Sequence, residues 1–334
     1  MRVIPTEAAV TVGEREQAGL VISVAGARSR PAFLIEHGGR LALRISSRGA
    51  PLAYARIGVW EEIAWLHAGA AATGVLAPIT VDDMREVAGT HVPGSDAFMH
   101  AWMRRMLESI SAESLLLHDG PWALAPAPLG TAKDARAYPR NPTDGLAGAP
   151  PIAWRLDAVV SPRALTRDDW ACGWGDALIP MGVVWPLRAP SRDAARVRAL
   201  QKRARDGLLA PALLLYVSVI GAYVVLDGHD RIAAALAEGV PPRLLALWPT
   251  LPPRGNAVAS VVAVAPLVPA GPATDRLEAA LRRAMAEHRH YGARTVAWPL
   301  RGGLGQWRAE ARAVLSRAPA TELDRDDVEF LLSD

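Results

Sequence analysis

Between Asp206 and Asp227 the chain runs for 20 residues without a charged side chain. No other feature constrains the fold as much, because so long a run must leave water, either across a bilayer or inside a core. Pro211 and Gly221 interrupt any spanning helix, and the middle is β-branched and aromatic: Tyr216, Val217, Val219, Ile220, Tyr223, Val224, Val225. That pattern predicts two buried strands, Ala212 to Val219 and Tyr223 to Leu226, joined at Ile220-Gly221-Ala222. A second uncharged run, Gly255 to Thr274, carries Pro266, Pro269 and Pro272 and is no spanning helix either. No membrane partner is expected.

The chemistry follows directly on the first run. From Leu226 the chain reads Asp227-Gly228-His229-Asp230-Arg231 and then Ile232-Ala233-Ala234-Ala235-Leu236-Ala237-Glu238-Gly239. A strand ends, a glycine turns the chain, and a small apolar helix begins with polar residues and closes at Gly239. Upstream, Val183 to Trp185 reads as a short strand. Ser191 is the expected N-cap of a helix Arg192 to Arg205 whose inward positions are Ala194, Val197, Leu200 and Ala204. Leu244 to Trp248 reads as the next strand.

A strand–glycine–helix junction aims free backbone N–H groups at one spot, and the helix dipole adds about half a positive charge there. With Arg231 and His229 in the same turn, such a spot suits a phosphate or carboxylate. Asp227 and Asp230 leave three roles open: fixing a His229 tautomer, binding a divalent metal, or acting as a base. The same residues also admit a plain reading, with Asp230 as cap, Gly228 as turn and Arg231 as ion-pair partner.

The order of strand, Pro186-Leu187, helix, Gly207, Pro211, strand pair, Asp227-Gly228-His229-Asp230-Arg231 and alanine-rich helix resembles the ParB/sulfiredoxin superfamily module over residues 183–248. The resemblance implies a phosphate-binding turn. Partition proteins carry Gly-Glu-Arg-Arg there; Gly228 and Arg231 match, while His229 and Asp230 replace the middle pair. Sulfiredoxins place a cysteine before His-Arg; here His229 stands at the cysteine and Asp230 at the histidine, so sulfinic acid repair is not expected. Free-serine kinases carry Asp-Gly-His-His-Arg, from which Asp230 departs, and the glutamate they use beyond the first strand is missing from Arg188-Ala189-Pro190-Ser191-Arg192.

The expected function is nucleotide or phosphate binding, with phosphotransfer or phosphate-ester hydrolysis. Asp227, His229 and Asp230 are the candidate catalytic groups. Gly228, His229, Arg231 and Arg188 are the candidate phosphate binders, and Asp227 the candidate metal ligand. ATP, ADP or CTP with Mg²⁺ is the expected cofactor. The alternative is a non-catalytic binding or regulatory partner built on a degenerate module. A protein partner and a homodimer both remain open.

Elsewhere the first 60 residues look β-rich. Leu20 to Val24 reads as a strand, and Ala32 to Ile35 and Leu41 to Ile45 flank a hairpin at His37-Gly38-Gly39-Arg40. A helix is expected over Val59 to His67. Thr80 caps another, Val81 to Ala88, ending at Gly89; Ser95 caps a third, Asp96 to Ile110, whose Phe98, Trp102 and Met106 form a core stripe. Helices are also expected from Thr274 or Asp275 to His290, over Gln306 to Leu315, and over Asp324 to Leu332. The Pro/Gly-rich segment 119–153 marks a boundary. The fold expected is α+β: a mixed α/β unit over 1–150, the ParB/sulfiredoxin-like module over 151–250, and a mostly helical extension over 251–334. Trp185-Pro186-Leu187-Arg188 recurs as Trp298-Pro299-Leu300-Arg301, too short an echo to make a repeat.

Several clusters read as ordinary structure. Glu287-His288-Arg289-His290 is a solvated helix end, and the acidic patch Asp324 to Glu329 is a helix first turn. The segment Asp168 to Asp176, with Trp170 and Trp174, is a Trp-anchored turn. Cys172 is the only cysteine, so no intrachain disulfide forms. Met1 to Gly13 lacks a basic stretch leading into an apolar one, and the cytoplasm is the expected compartment. The net charge of +3 is spread along the chain, and nucleic acid is not an expected partner; the arginine-rich stretch Arg192 to Arg205 is its best candidate.

Overall fold

The structure is a computed structural model and describes residues 2–12, 15–26, 32–39, 42–57, 63–68, 75–113, 117, 119–127, 184–191, 193–217, 220, 222–250, 297–317 and 325–332. The first strands are β1 (Arg2–Val12), β2 (Arg15–Ala25), β3 (Phe33–Gly39), β4 (Ala42–Ser47), β5 (Ala50–Ile57) and β6 (Ile63–His67). Helices α1 (Val81–Thr90) and α2 (Asp96–Glu113) follow, then β7 (Gly120–Pro126). The motif region comprises β8 (Val184–Pro186), α3 (Ala194–Arg205), β9 (Ala212–Val217), β10 (Ala222–Asp227), α4 (His229–Ala237) and β11 (Leu244–Pro249). Last come β12 (Ala297–Pro299), α5 (Gly303–Leu315) and α6 (Arg325–Leu332).

The chain is α+β. A seven-stranded sheet runs β1-β2-β7-β11-β9-β10-β8, and a five-stranded sheet runs β12-β3-β4-β5-β6. Pairing is antiparallel except at β8/β10, β9/β11 and β12/β3. The first sheet takes strands from the 1–150 and the 151–250 segments, and the second takes β12 from beyond residue 250.

The uncharged run is explained by burial on both faces of its strands, as in sheets covered on each side. Leu213, Leu215 and Val217 of β9 and Ala222, Val224 and Leu226 of β10 enter the main core. Their alternates Leu214, Tyr216, Tyr223 and Val225 fill a second core on the opposite face. The main core also takes Phe33, Ile35, Leu43 and Ile45 from the five-stranded sheet, so the two sheets share one interior. On the far side of that second sheet, Trp307 of α5 and Leu331 of α6 cover Tyr54 and Leu66.

Phe98, Trp102 and Met106 of α2 are buried in the main core, as their spacing implies. Thr80 caps α1 through a reciprocal pair: its hydroxyl accepts from Asp83 N–H at 3.2 Å, and its own N–H donates to the Asp83 carboxylate at 2.8 Å. The helix runs one residue past Gly89, to Thr90.

Two local expectations are corrected. Val59 to His67 is not a helix: Ile63–His67 is strand β6, hydrogen-bonded to β5 from Ala53↔His67 to Ile57↔Ile63. Its apolar residues satisfy either period, and the partner strand decides. The cap of α3 is Asp193 rather than Ser191: the Asp193 carboxylate accepts from Ala195 N–H and Arg196 N–H, and the Ser191 hydroxyl accepts from Asp193 N–H. Leu200 and Ala204 of α3 are buried as expected, while Val197 is half-buried.

The four-residue echo lies at matching places in the two sheets. Trp185-Pro186 sits on edge strand β8, parallel to β10, and Trp298-Pro299 on edge strand β12, parallel to β3. A helix follows each. Proline is tolerated there because an edge strand leaves N–H positions without a ladder partner.

No helix among the described residues is long and apolar enough to cross a membrane. The segments holding Cys172, Trp174, Glu287 to His290 and the uncharged run Gly255 to Thr274 lie outside the described residues.

Candidate functional site

The five motif residues occupy the end of β10 and the first turn of α4. The β9/β10 register shifts between Val225 and Asp227, which re-aims the strand end. Gly228 then caps α4 with φ at 99°, in the left-handed region. A Cβ there would lie 2.6 Å from the Ala212 Cβ, so glycine is required on two counts. The first helical bond runs from Ile232 N–H to the Gly228 carbonyl at 2.9 Å.

This turn brings every predicted site residue together, and each engages a protein neighbour. Arg231 is 7% exposed; its Nη2 donates to Asp227 Oδ2 at 2.8 Å and to the Pro211 carbonyl at 3.1 Å. His229 is 3% exposed, and its Nε2 accepts from the Leu187 backbone N–H at 3.0 Å. That bond puts the imidazole proton on Nδ1. Burial pushes the His229 pKa well below the usual value, and the Arg188 charge pushes it the same way against the opposing pull of Asp230.

Asp230 is the most heavily bonded group. Arg188 donates to it with both Nη atoms, at 3.0 and 3.1 Å. Arg196 Nε adds a bond at 3.0 Å and Ser191 N–H another at 2.7 Å. Four donors match the four lone-pair directions of a carboxylate. Burial alone would raise the Asp230 pKa, but the bonds from Arg188 and Ser191 N–H and the charges of Arg188 and Arg196 overcome it and hold the group at about 2.

These contacts bear on each expected role. A base or a Mg²⁺ ligand needs a free oxygen lone pair, and those of Asp230 are taken by cations and an amide. His229 Nε2 is taken by Leu187 N–H. Asp227 holds Arg231 through Oδ2. Arg188, at 30% side-chain exposure, and Arg196, at 53%, are the motif region's open cations.

Sequence reasoning missed several contributors. Arg196 and the Ser191 N–H come from the start of α3, and Pro211 contributes only its carbonyl. His67, at the end of β6, lies close enough to His229 for a charge on it to be felt there. Burial lowers the His67 pKa to about 4, and its Nε2 has no hydrogen-bond partner. Trp65 stacks on Trp185 with centroids 5.0 Å apart, and its Nε1 donates to the Pro186 carbonyl at 3.2 Å. Only Arg196, near the motif's own helix, offered any sequence signal, as part of an arginine-rich stretch. No family model, curated protein or solved structure matches this chain.

Proposed function

We propose that this protein is a non-catalytic binding or regulatory protein built on a ParB/sulfiredoxin-like module, in which the Asp227–Arg231 turn is a structural latch. The saturation of Asp230 by Arg188, Arg196 and Ser191 N–H carries this reading. The latch ties α4 to the segment between β8 and α3, while His229 ties it to Leu187 and Arg231 to Pro211. The likeness to the module is supported by the chain order β8, α3, β9, β10, glycine turn, α4, β11.

The experiment is a melting-temperature panel on the full chain with ATP, ADP and CTP at millimolar concentration, each with and without Mg²⁺. A latch leaves Tm unchanged throughout. A saturable, Mg²⁺-dependent rise overturns the reading, because a ligand that binds the folded state must stabilise it.

One observation favours a second reading, a phosphotransferase or phosphohydrolase. Arg188 and Arg196 both reach solvent beside a single carboxylate, leaving one positive charge in excess that a phosphate group would neutralise. On this reading Asp227 would take Mg²⁺, and the same panel returns the positive result.

A further inference from the structure

The far side of the turn holds a groove. It encloses about 300 Å³ between the end of α3, the start of β9, α4 and residues 240–243. Its walls are mainly apolar, with Leu209, Ile232, Val240 and Pro242 among them, and it has no acidic lining residue. Two guanidinium groups complete it, those of Arg231 and Arg243.

Both cations are incompletely satisfied. Arg231 is more than nine-tenths buried, and its Nε makes no hydrogen bond. A buried donor without an acceptor costs about 1–3 kcal/mol, which a ligand acceptor would recover. Arg243 donates Nη1 to the Gly207 carbonyl at 2.9 Å, and its Cζ lies 5.5 Å from the centre of the Phe98 ring. No carboxylate pairs with Arg243 among the described residues. Burial lowers its pKa, as expected for a cation without a counter-ion.

The charge balance limits the guest. Asp227 already neutralises Arg231 at 2.8 Å, so the groove carries one uncompensated positive charge, that of Arg243. One negative charge balances it; a phosphate dianion would overshoot. A carboxylate offers an oxygen to each guanidinium, and the apolar walls suit a hydrocarbon body. The volume sits at the bottom of the range for small-molecule sites, on the order of 300–1,000 Å³. We propose that this groove binds a small monocarboxylate with a short aliphatic chain. The site is distinct from the Asp230 cluster, so it stands whether or not nucleotides bind the protein.

Hexanoate is a suitable probe, with hexanol and inorganic phosphate as controls, each titrated into the full-length protein and read by Tm and by calorimetry. Hexanoate is expected to bind saturably at millimolar concentration, while neither control produces a comparable shift. Arg243→Gln removes the charge and is expected to weaken hexanoate by about tenfold, as loss of a charge-assisted hydrogen bond would. Val240→Phe fills the groove from its half-exposed rim and is expected to abolish binding in a protein that still melts cooperatively. Absence of hexanoate binding overturns the proposal, as does hexanol or phosphate matching hexanoate, or Val240→Phe binding it undiminished. If Arg243→Gln fails to fold, Val240→Phe decides the outcome.

Discussion

Arg188 holds Asp230 with both Nη atoms, at 3.0 and 3.1 Å, across 42 positions of chain. A planar guanidinium set against a carboxylate at two points fixes orientation as well as distance. The consequence is positional: the chain leaving β8 is locked to the first turn of α4. His229 reinforces the lock from the neighbouring residue by accepting the Leu187 N–H. Two consecutive residues of one turn thus bind two consecutive residues of another.

Acid is expected to open this lock at a defined point. The folded-state pKa of Asp230 lies below its ordinary value of 3.8, at about 2. The unfolded chain therefore binds the proton more readily, so the carboxylate's contribution is present above pH 3.8 and is lost as pH falls through 2. The shift corresponds to about 2 kcal/mol. Asp230→Asn is expected to lose a similar amount at neutral pH and to flatten the stability profile in that acid window. Urea denaturation across the window, run on both proteins, checks it.

The two buried imidazoles act in a higher window with the same sign. The His67 pKa falls from 6.5 to about 4 on folding, and that of His229 is also lowered. Between those limits the unfolded state binds the extra proton, so stability rises with pH and is lost as pH drops from 6.5 towards 4. His67→Phe removes one titrating group. It is expected to reduce the slope of stability against pH in that range by about 2 kcal/mol overall, the full shift being discounted for partial exposure. Denaturant midpoints at neutral and mildly acidic pH give the slope; an unchanged slope refutes the assignment.

Glycine requirements along the motif differ sharply. Gly228→Ala places a Cβ 2.6 Å from the Ala212 Cβ at a φ of 99° and is expected to cost about 3 kcal/mol or more. Gly239 shares the positive φ, at 67°, but a Cβ there meets nothing within 4 Å, so Gly239→Ala is expected to cost about 1 kcal/mol. The pair separates steric contact from backbone strain. Equal losses in chemical denaturation would refute the contact at Ala212.

The contrast between readable and unreadable features has a physical source. Ala212 to Leu226 was legible because burial on both faces excludes charge from every position, a signal carried by the segment alone. The caps at Thr80 and Ser95 were legible for the same reason, since each bonds a residue three positions on. Val59 to His67 was misread because Ile63, Ala64 and Leu66 suit either period, and the deciding partner, β5, pairs it through the fold. The turn itself was legible as five contiguous residues, but its chemistry was not. Pro211 acts through a carbonyl and Leu187 through an N–H, groups every residue of the chain possesses. His67 reaches His229 from 162 positions away, with no local pattern to announce it.

A second polar cluster, on the five-stranded sheet, fixes the C-terminal helices and was not visible in the sequence. Glu310 of α5 accepts both of its Arg44 contacts from Nη1 at 2.9 Å, and accepts from the Tyr54 hydroxyl at 2.9 Å and from Gln306 at 2.8 Å. Arg44 in turn binds Glu36, which is 1% exposed. Burial and the bond to Glu310 push the Tyr54 hydroxyl well above its ordinary pKa, so it stays a neutral donor. Glu310→Ala strands the buried Tyr54 hydroxyl and loosens Arg44, and is expected to cost about 2 kcal/mol. Tyr54→Phe removes one donor while leaving Arg44 and Gln306 on Glu310, and is expected to cost about 1 kcal/mol. Because the two groups share a bond, the double variant should lose less than the sum of the single losses. A double-mutant cycle by urea denaturation measures that coupling; strict additivity would show that Tyr54 does not help hold α5 on the sheet.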